Sequence, residues 1–271
     1  MSDAFDIAPP PGADFYYASF YFAPRTRATL HLIEALRREL LEIPESCSDR
    51  GVAHIKLAWW REELAASPET APRHHLTRAL RSTAPALVPT FRELAEGVAG
   101  GLGAAPPEDD DALDGVLDTL HGAPVRALIE QAGGVCGADS VALLRLARLV
   151  ERANALAALR RHREGGWLYL SRATLEQHGL TPDQVRHAAR SSELGSLVHA
   201  QATHLLDALD ASVNALPRRR RRQQRLVTTL ARIAHRRLAL TLTDGCAVLE
   251  RRVDPTPVAK LAIAWRTRWL G

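Results

Sequence analysis

Lysine is almost missing from this chain of 271 residues. Only Lys56 and Lys260 occur, so 33 of the 35 basic side chains are arginine. The bias reads as genomic base composition, but it leaves many fixed, planar cations for anionic partners. Cysteine is also scarce. Cys47, Cys136 and Cys246 are odd in number and far apart, which points to neither a disulfide framework nor a zinc site and fits a reducing cytoplasm. No apolar run is long enough to cross a bilayer. The segment Met1–Ala13 is rich in proline and glycine and carries Asp3 and Asp6. It lacks a basic start and an apolar stretch, so no signal peptide is expected. Strand-type alternation is nearly absent. There is no Walker A loop, dinucleotide glycine fingerprint or nucleophile elbow. His74-His75, His162, His199 and His204 lack the spacing and companions of a zinc site.

What is present is helical. The chain is 46% hydrophobic with a net charge of +4, enough apolar material for a sizeable core. Leu30, Ile33, Leu36, Leu40 and Leu41 follow a 3.6-residue period, as do Val141, Leu144, Leu146, Leu149 and Val150. Breakers divide the pattern at Pro24, Pro44, Pro68 and Pro72, Pro85 and Pro89, Gly133–Gly137, Gly165-Gly166, Pro217 and Asp254–Pro257. The small, proline-rich, then acidic Gly100–Asp111 stretch reads as a solvated loop within one domain. The expectation is an all-α chain of about ten to thirteen helices, with residues 1–13 a flexible N-terminal segment and 14–271 a single domain.

Three blocks follow in order: Phe15-Tyr16-Tyr17-Ala18-Ser19, Ala35-Leu36-Arg37-Arg38-Glu39, and Lys56-Leu57-Ala58-Trp59-Trp60-Arg61-Glu62-Glu63-Leu64. A fourth runs Leu159-Arg160-Arg161-His162-Arg163-Glu164-Gly165-Gly166-Trp167-Leu168-Tyr169-Leu170-Ser171. Together they resemble the squalene/phytoene synthase family over about Asp14–Gly271, most specifically at Phe15–Leu64 and around Tyr169. The resemblance implies a single-domain isoprenoid-synthase-like helical bundle around a central cavity. It also implies a terpenoid chemistry in which two prenyl diphosphates are joined on Mg²⁺ held by two Asp-rich motifs.

Both motifs depart from the family pattern here. Leu41-Glu42-Ile43-Pro44-Glu45 stands where the first should run Asp-Asp-x-x-Asp. Glu42 and Glu45 keep an i, i+3 spacing that shares a helix face. Leu41, however, replaces an acid, and Pro44 cannot donate to the carbonyl of Leu40. A helix end with solvated carboxylates is expected. In the second motif Arg161 takes the place of the first Asp, and Glu164 is the remaining acid. Arg160, Arg161 and Arg163 repel Mg²⁺ but match phosphate oxygens; a basic last helical turn is the plainer expectation.

The degenerate metal positions are therefore Glu42, Glu45 and Glu164, and the candidate anion-binding side chains are Arg38, Arg160, Arg161 and Arg163. Tyr16, Tyr17, Trp60 and Tyr169 are candidate cavity-lining residues. Adjacent Trp59 and Trp60 cannot share a helix face. One is expected in the core and the other over a neighbouring helix or groove.

The Glu-Leu-x-x-Ile-Pro segment and the C-terminal Trp265-Arg266 are similar to a degenerate branch of the family that includes a mitochondrial complex I assembly factor and bacterial relatives. That implies a pseudoenzyme without cofactor, an accessory or assembly factor holding a prenyl lipid or a membrane-complex subunit. Such a protein would be cytoplasmic and peripheral to the inner membrane. The alternative is an active prenyltransferase using Mg²⁺. A third reading is a basic membrane-surface adaptor through Arg218–Arg222, on a helix expected to run from Arg218 to Leu242 or beyond. No aromatic residues interleave with these arginines, which argues against nucleic acid as a partner.

Overall fold

Pro24 opens the first long helix because its fixed φ and missing N–H suit a helix start. From there Leu30, Ile33, Leu36 and Leu40 form one fully buried stripe, each contributing roughly 1.5–3 kcal/mol of burial. This computed structural model describes residues 7–271 except 48, 68, 135–136, 166–167, 188–190, 244–246, 252 and 271. For residues 138, 163–165, 247 and 270 it describes the backbone alone. Residues 1–6 of the expected flexible segment thus lie outside the described residues. Beyond them Pro9 is buried, and the carbonyl of Gly12 accepts a hydrogen bond from Lys260 Nζ at 2.9 Å.

The α-helices in chain order are α1 (Asp14–Ser19), α2 (Pro24–Leu41), α3 (Ile43–Ser46), α4 (Arg50–Ala65), α5 (His75–Thr83), α6 (Val88–Gly101), α7 (Asp110–Leu117) and α8 (Ala123–Gly133). They continue as α9 (Ala138–Ala157), α10 (Leu159–Gly165), α11 (Arg172–Gln177), α12 (Pro182–His187), α13 (Ser192–Ala215), α14 (Arg218–Gln223), α15 (Arg225–Thr243) and α16 (Pro257–Leu270). The chain is all-α, with no strand among the described residues. The helices exceed the expected ten to thirteen because breakers leave short pieces such as α3, α11, α12 and α14.

Two apolar clusters hold the helices together. α2, α4, α6 and α8 supply most of the first, around Leu36, Leu57, Phe91 and Leu128. α9, α13 and α15 supply most of the second, around Leu146, Leu197, Leu205 and Ala234. Leu230 of α15 packs against both, so this helix joins the two halves. The helix expected to run unbroken from Arg218 is interrupted at Gln224. Gln224 is wholly buried, and its amide nitrogen donates to the Ile129 carbonyl. Gln223 donates to the carbonyls of Gly133 and Gly134. The break thus places two side-chain amides at the C-terminal end of α8, on the carbonyls of Ile129, Gly133 and Gly134.

Between α7 and α8, Asp118–Gly122 forms one π turn. Pro124 has no N–H to offer the carbonyl of Leu120, which favours the wider turn. The neighbouring helix makes room with a glycine. A Cβ on Gly97 would lie 2.9 Å from Thr119 Cγ2 and 3.2 Å from its carbonyl oxygen.

α16 reverses the usual amphipathic arrangement. It buries Lys260, Ala264 and Thr267, and exposes Val258 (76%), Leu261 (40%), Trp265 (50%) and Trp269 (55%).

Candidate functional site

The ends of α2, α3, α9 and α10 surround a cavity of about 600 Å³, with α15 and the stretch before α16 completing its wall. Six arginines and four carboxylates line it. α2 ends at Leu41, with Glu42 as its C-cap, and Pro44 then sits in the first turn of α3. This new helix direction separates the two glutamates. Glu42 stays in solvent, 56% exposed, and meets Arg38 at 3.5 Å. Glu45 turns inward, 16% exposed, and lies 2.9 Å from both Arg161 Nε and His162 Nδ1. Burial alone would raise its carboxyl. The neighbouring His162 and then Arg161 outweigh burial and hold it below the ordinary carboxylate range.

The floor of the cavity is a buried charge network. Arg37 of α2 forms a fork on Glu34, with contacts of 2.8 and 3.2 Å, and reaches Glu151 of α9 at 3.1 Å. It also lies 3.1 Å from His121 Nδ1, delivered by the π turn. Burial, partly offset by Glu151 and reinforced by Arg37 and His162, holds the His121 imidazole down to about 4. At neutral pH its ring nitrogen therefore accepts from Arg37. Burial would raise Glu151 and lower Arg37, yet their mutual attraction moves each the other way.

The network continues through Asn154, whose side-chain oxygen accepts from Arg237 of α15 at 2.6 Å. Arg237 pairs with Asp14 and Asp254, and Lys260 reaches both carboxylates at 2.8 Å. Tyr169 packs edge-on against His162, ring centres 4.8 Å apart. Burial, then Glu45 and Glu151, raise its phenol, so it remains an O–H donor.

The two segments singled out in the sequence do meet in one cavity. Glu42, Glu45, Arg38, Arg160, Arg161 and Tyr169 all line it. Glu45 contradicts the expectation of solvated carboxylates, which Glu42 alone fits, because the turn into α3 points it inward. Arg160–His162 are more than a basic last turn, since they form the short separate helix α10. There Arg160 donates to the Glu250 carbonyl at 2.6 Å, while Arg161 and His162 reach across to α3. The side chains of Arg163 and Glu164 lie outside the described residues.

Tyr16, Tyr17 and Trp60, expected to line the cavity, do not. Tyr16 packs against Tyr17 and Phe20. Trp60, 4% exposed, meets His74 and Trp59 along an outer groove. The two tryptophans divide as expected, with Trp59 under the Arg73 guanidinium. Sequence reading missed Arg37, His121, Glu151, Asn154 and Arg237. Glu34 and Arg37 did leave a signal, as charges set inside the buried stripe of α2.

Magnesium, which the sequence resemblance implies, does not fit these donors. Glu45 is taken up by Arg161 and His162, Glu42 faces Arg38 and solvent, and Glu151 is locked to Arg37. No group of three or more acidic, histidine or cysteine side chains suited to a metal ion forms among the described residues.

The chain is similar in fold to a dehydrosqualene synthase crystallised with ligand. The TM-score is 0.75 at 16% identity, covering 94% of this chain and 90% of that one. It is also similar to the squalene synthase HpnC from Alicyclobacillus acidocaldarius. There the TM-score is 0.62 at 20% identity, covering 85% and 88%. No curated protein sequence matches it. The all-helical architecture is that of the isoprenoid synthases, and the squalene/phytoene synthase model matches residues 9–258. With a family match over that much of its length, the chain belongs to the squalene/phytoene synthase family.

Proposed function

We propose that this protein is a non-catalytic member of its family that binds a prenyl lipid with an anionic, phosphate-bearing head, without metal, and serves as an accessory or assembly factor. The observation that carries the reading is Glu45. The one inward carboxylate of the first degenerate motif is paired with Arg161 and sits against His162 of the second. Two acid-rich motifs that would clamp a metal are replaced by an acid and a base that clamp each other. In this family a metal clamp stabilises the growing charge of the departing diphosphate, and a carboxylate already paired with Arg161 and His162 is not free to hold one. Arginine holds phosphate oxygens directly, and Arg161, 65% exposed at the mouth, is positioned to exchange Glu45 for a phosphate.

The cavity sets the size of the ligand. Arg37 and Glu151 line both the cavity and a void of about 30 Å³ behind it, among Phe15, Leu128 and Leu226. That void has room for about two or three waters. A tail continuing past Arg37 into the helical interior has no room there, so head and tail share the cavity of about 600 Å³. The accessory role rests on the resemblance to the assembly-factor branch, and the unfitted metal motifs support it.

The test is calorimetric titration of farnesyl diphosphate with EDTA present, alongside pyrophosphate release with Mg²⁺. Saturable binding in EDTA, roughly tenfold weaker or more in Arg161→Glu, and no release above background are expected. Pyrophosphate release that disappears in Glu45→Gln would establish the transferase instead. Absence of saturable binding would remove the lipid and leave a protein-partner role.

A further inference from the structure

α16 is built inside out. Helices at the surface of a water-soluble domain turn their apolar stripe inward. Here Lys260, Ala264 and Thr267 face the protein, and Val258, Leu261, Trp265 and Trp269 face outward. Their spacing of three, four and four residues keeps all four within one stripe of the helix. The buried face is satisfied on its own terms. Lys260 is tied to Asp14 and Asp254, and Thr267 accepts from Arg232 at 3.1 Å. Rotating the helix to hide its tryptophans would break those contacts, so the outward stripe belongs to the folded state.

The surroundings of that stripe are cationic. α14 packs against α16, and Arg222 of α14 donates to the Trp269 carbonyl at 3.3 Å. The Arg268 guanidinium stacks on the Trp269 ring, 4.9 Å from its centre. Arg218, Arg219, Arg222 and Arg266 are exposed, and neither helix contains an aspartate or glutamate. Burial, and then neighbouring arginines, lower the guanidiniums of Arg225 and Arg232, as expected where positive charge is crowded and not fully balanced.

We propose that the outward face of α16, together with the exposed arginines of α14, is a docking surface for an anionic lipid bilayer. Tryptophan favours the headgroup level because one part of its ring is apolar and its N–H is polar. Arginines beside it are attracted to acidic headgroups. A second copy of the chain is a poorer occupant. Two-fold pairing of this face would bring two sets of arginines together with no carboxylate on either helix to offset them. No helix among the described residues is long and apolar enough to cross a membrane, and contact through this face leaves the protein on the surface.

Flotation with phosphatidylcholine vesicles, with and without phosphatidylglycerol, tests this without involving the cavity, since neither lipid carries a prenyl chain. The full-length protein is expected to float with the anionic vesicles only, with a blue shift of tryptophan emission, and to be released by raised salt. Trp265→Ser with Trp269→Ser should lower the partition coefficient roughly tenfold or more. Arg218→Gln with Arg219→Gln should lower it about 25-fold, from about fivefold per arginine. All four side chains are exposed, so far-UV circular dichroism should not change. Both variants should keep the cavity's farnesyl diphosphate binding, which separates this surface from the proposed ligand site. The proposal is overturned if neutral and anionic vesicles bind equally, if neither binds, or if the tryptophan variant binds as well as the parent. It is equally overturned if sedimentation equilibrium shows a dimer that the tryptophan substitutions dissolve.

Discussion

Acidifying the protein from pH 6.5 to pH 4 should remove stability through one imidazole. His121 has an ordinary value of 6.5, and burial beside Arg37 holds it down to about 4. The folded state therefore favours the neutral ring. Its contribution is fully present above 6.5, declines as pH falls towards 4, and changes little below that. A gap of about two and a half units corresponds to about 3 kcal/mol. For a chain of this length, urea slopes approach or exceed about 3 kcal/mol per molar, so the midpoint should fall by about 1 M from this group alone. Nearby carboxylates also titrate, so the control is His121→Gln, whose amide oxygen can still accept from Arg37. Urea unfolding followed by circular dichroism at several pH values should show curves for parent and variant that converge as pH falls. Parallel curves across this window, or an imidazole resonance titrating near 6.5, would refute the assignment of His121 as a buried acceptor.

Three other substitutions test separate parts of the structure. Lys260→Met leaves Asp14 and Asp254 with Arg237 as their remaining described cation and should cost roughly 3 kcal/mol in urea unfolding; a neutral effect would mean the lysine is dispensable to α16 docking. Gly97→Ala places a methyl against the backbone of Thr119 and should cost about 1–3 kcal/mol, measured by thermal denaturation. Glu45→Gln removes the carboxylate that competes with an incoming phosphate. It should tighten farnesyl diphosphate binding in EDTA roughly tenfold, and unchanged affinity in calorimetry would place the ligand elsewhere.

Much of the fold was legible because helix signals are local. Pro24, the Leu30–Leu40 stripe and the order of the family blocks identified the architecture. The two degenerate motif segments were matched to one cavity, although the pairing of Glu45 with Arg161 was not among the expectations. What could not be read depended on small rotations between elements. Pro44 does break the first motif, but only the direction of α3 decides that Glu45 turns in while Glu42 stays out. His121 reaches the floor because a π turn adds a residue to the helical register, a shift no apolar period reveals. Arg37 and Glu151 look like ordinary charged helix positions until α2 and α9 pack. The aromatic cluster misled for the opposite reason. Tyr16 and Tyr17 are dense in sequence, but they are used to pack α1. The inverted face of α16 likewise shows no conflict in sequence, because an apolar stripe is normally assigned to the core.

The near absence of lysine has a practical consequence at Lys260. Amine-acylating reagents meet only two side-chain targets, and Lys56 is exposed while Lys260 is 1% exposed. An acylated amine is neutral and bulky, so it cannot return to its place between Asp14 and Asp254. Lys56 should therefore label at once, while Lys260 labels only when α16 lifts from the body of the protein. Mass spectrometry of the Lys260 peptide over time would then act as a clock for that opening, read in the native protein without an introduced probe.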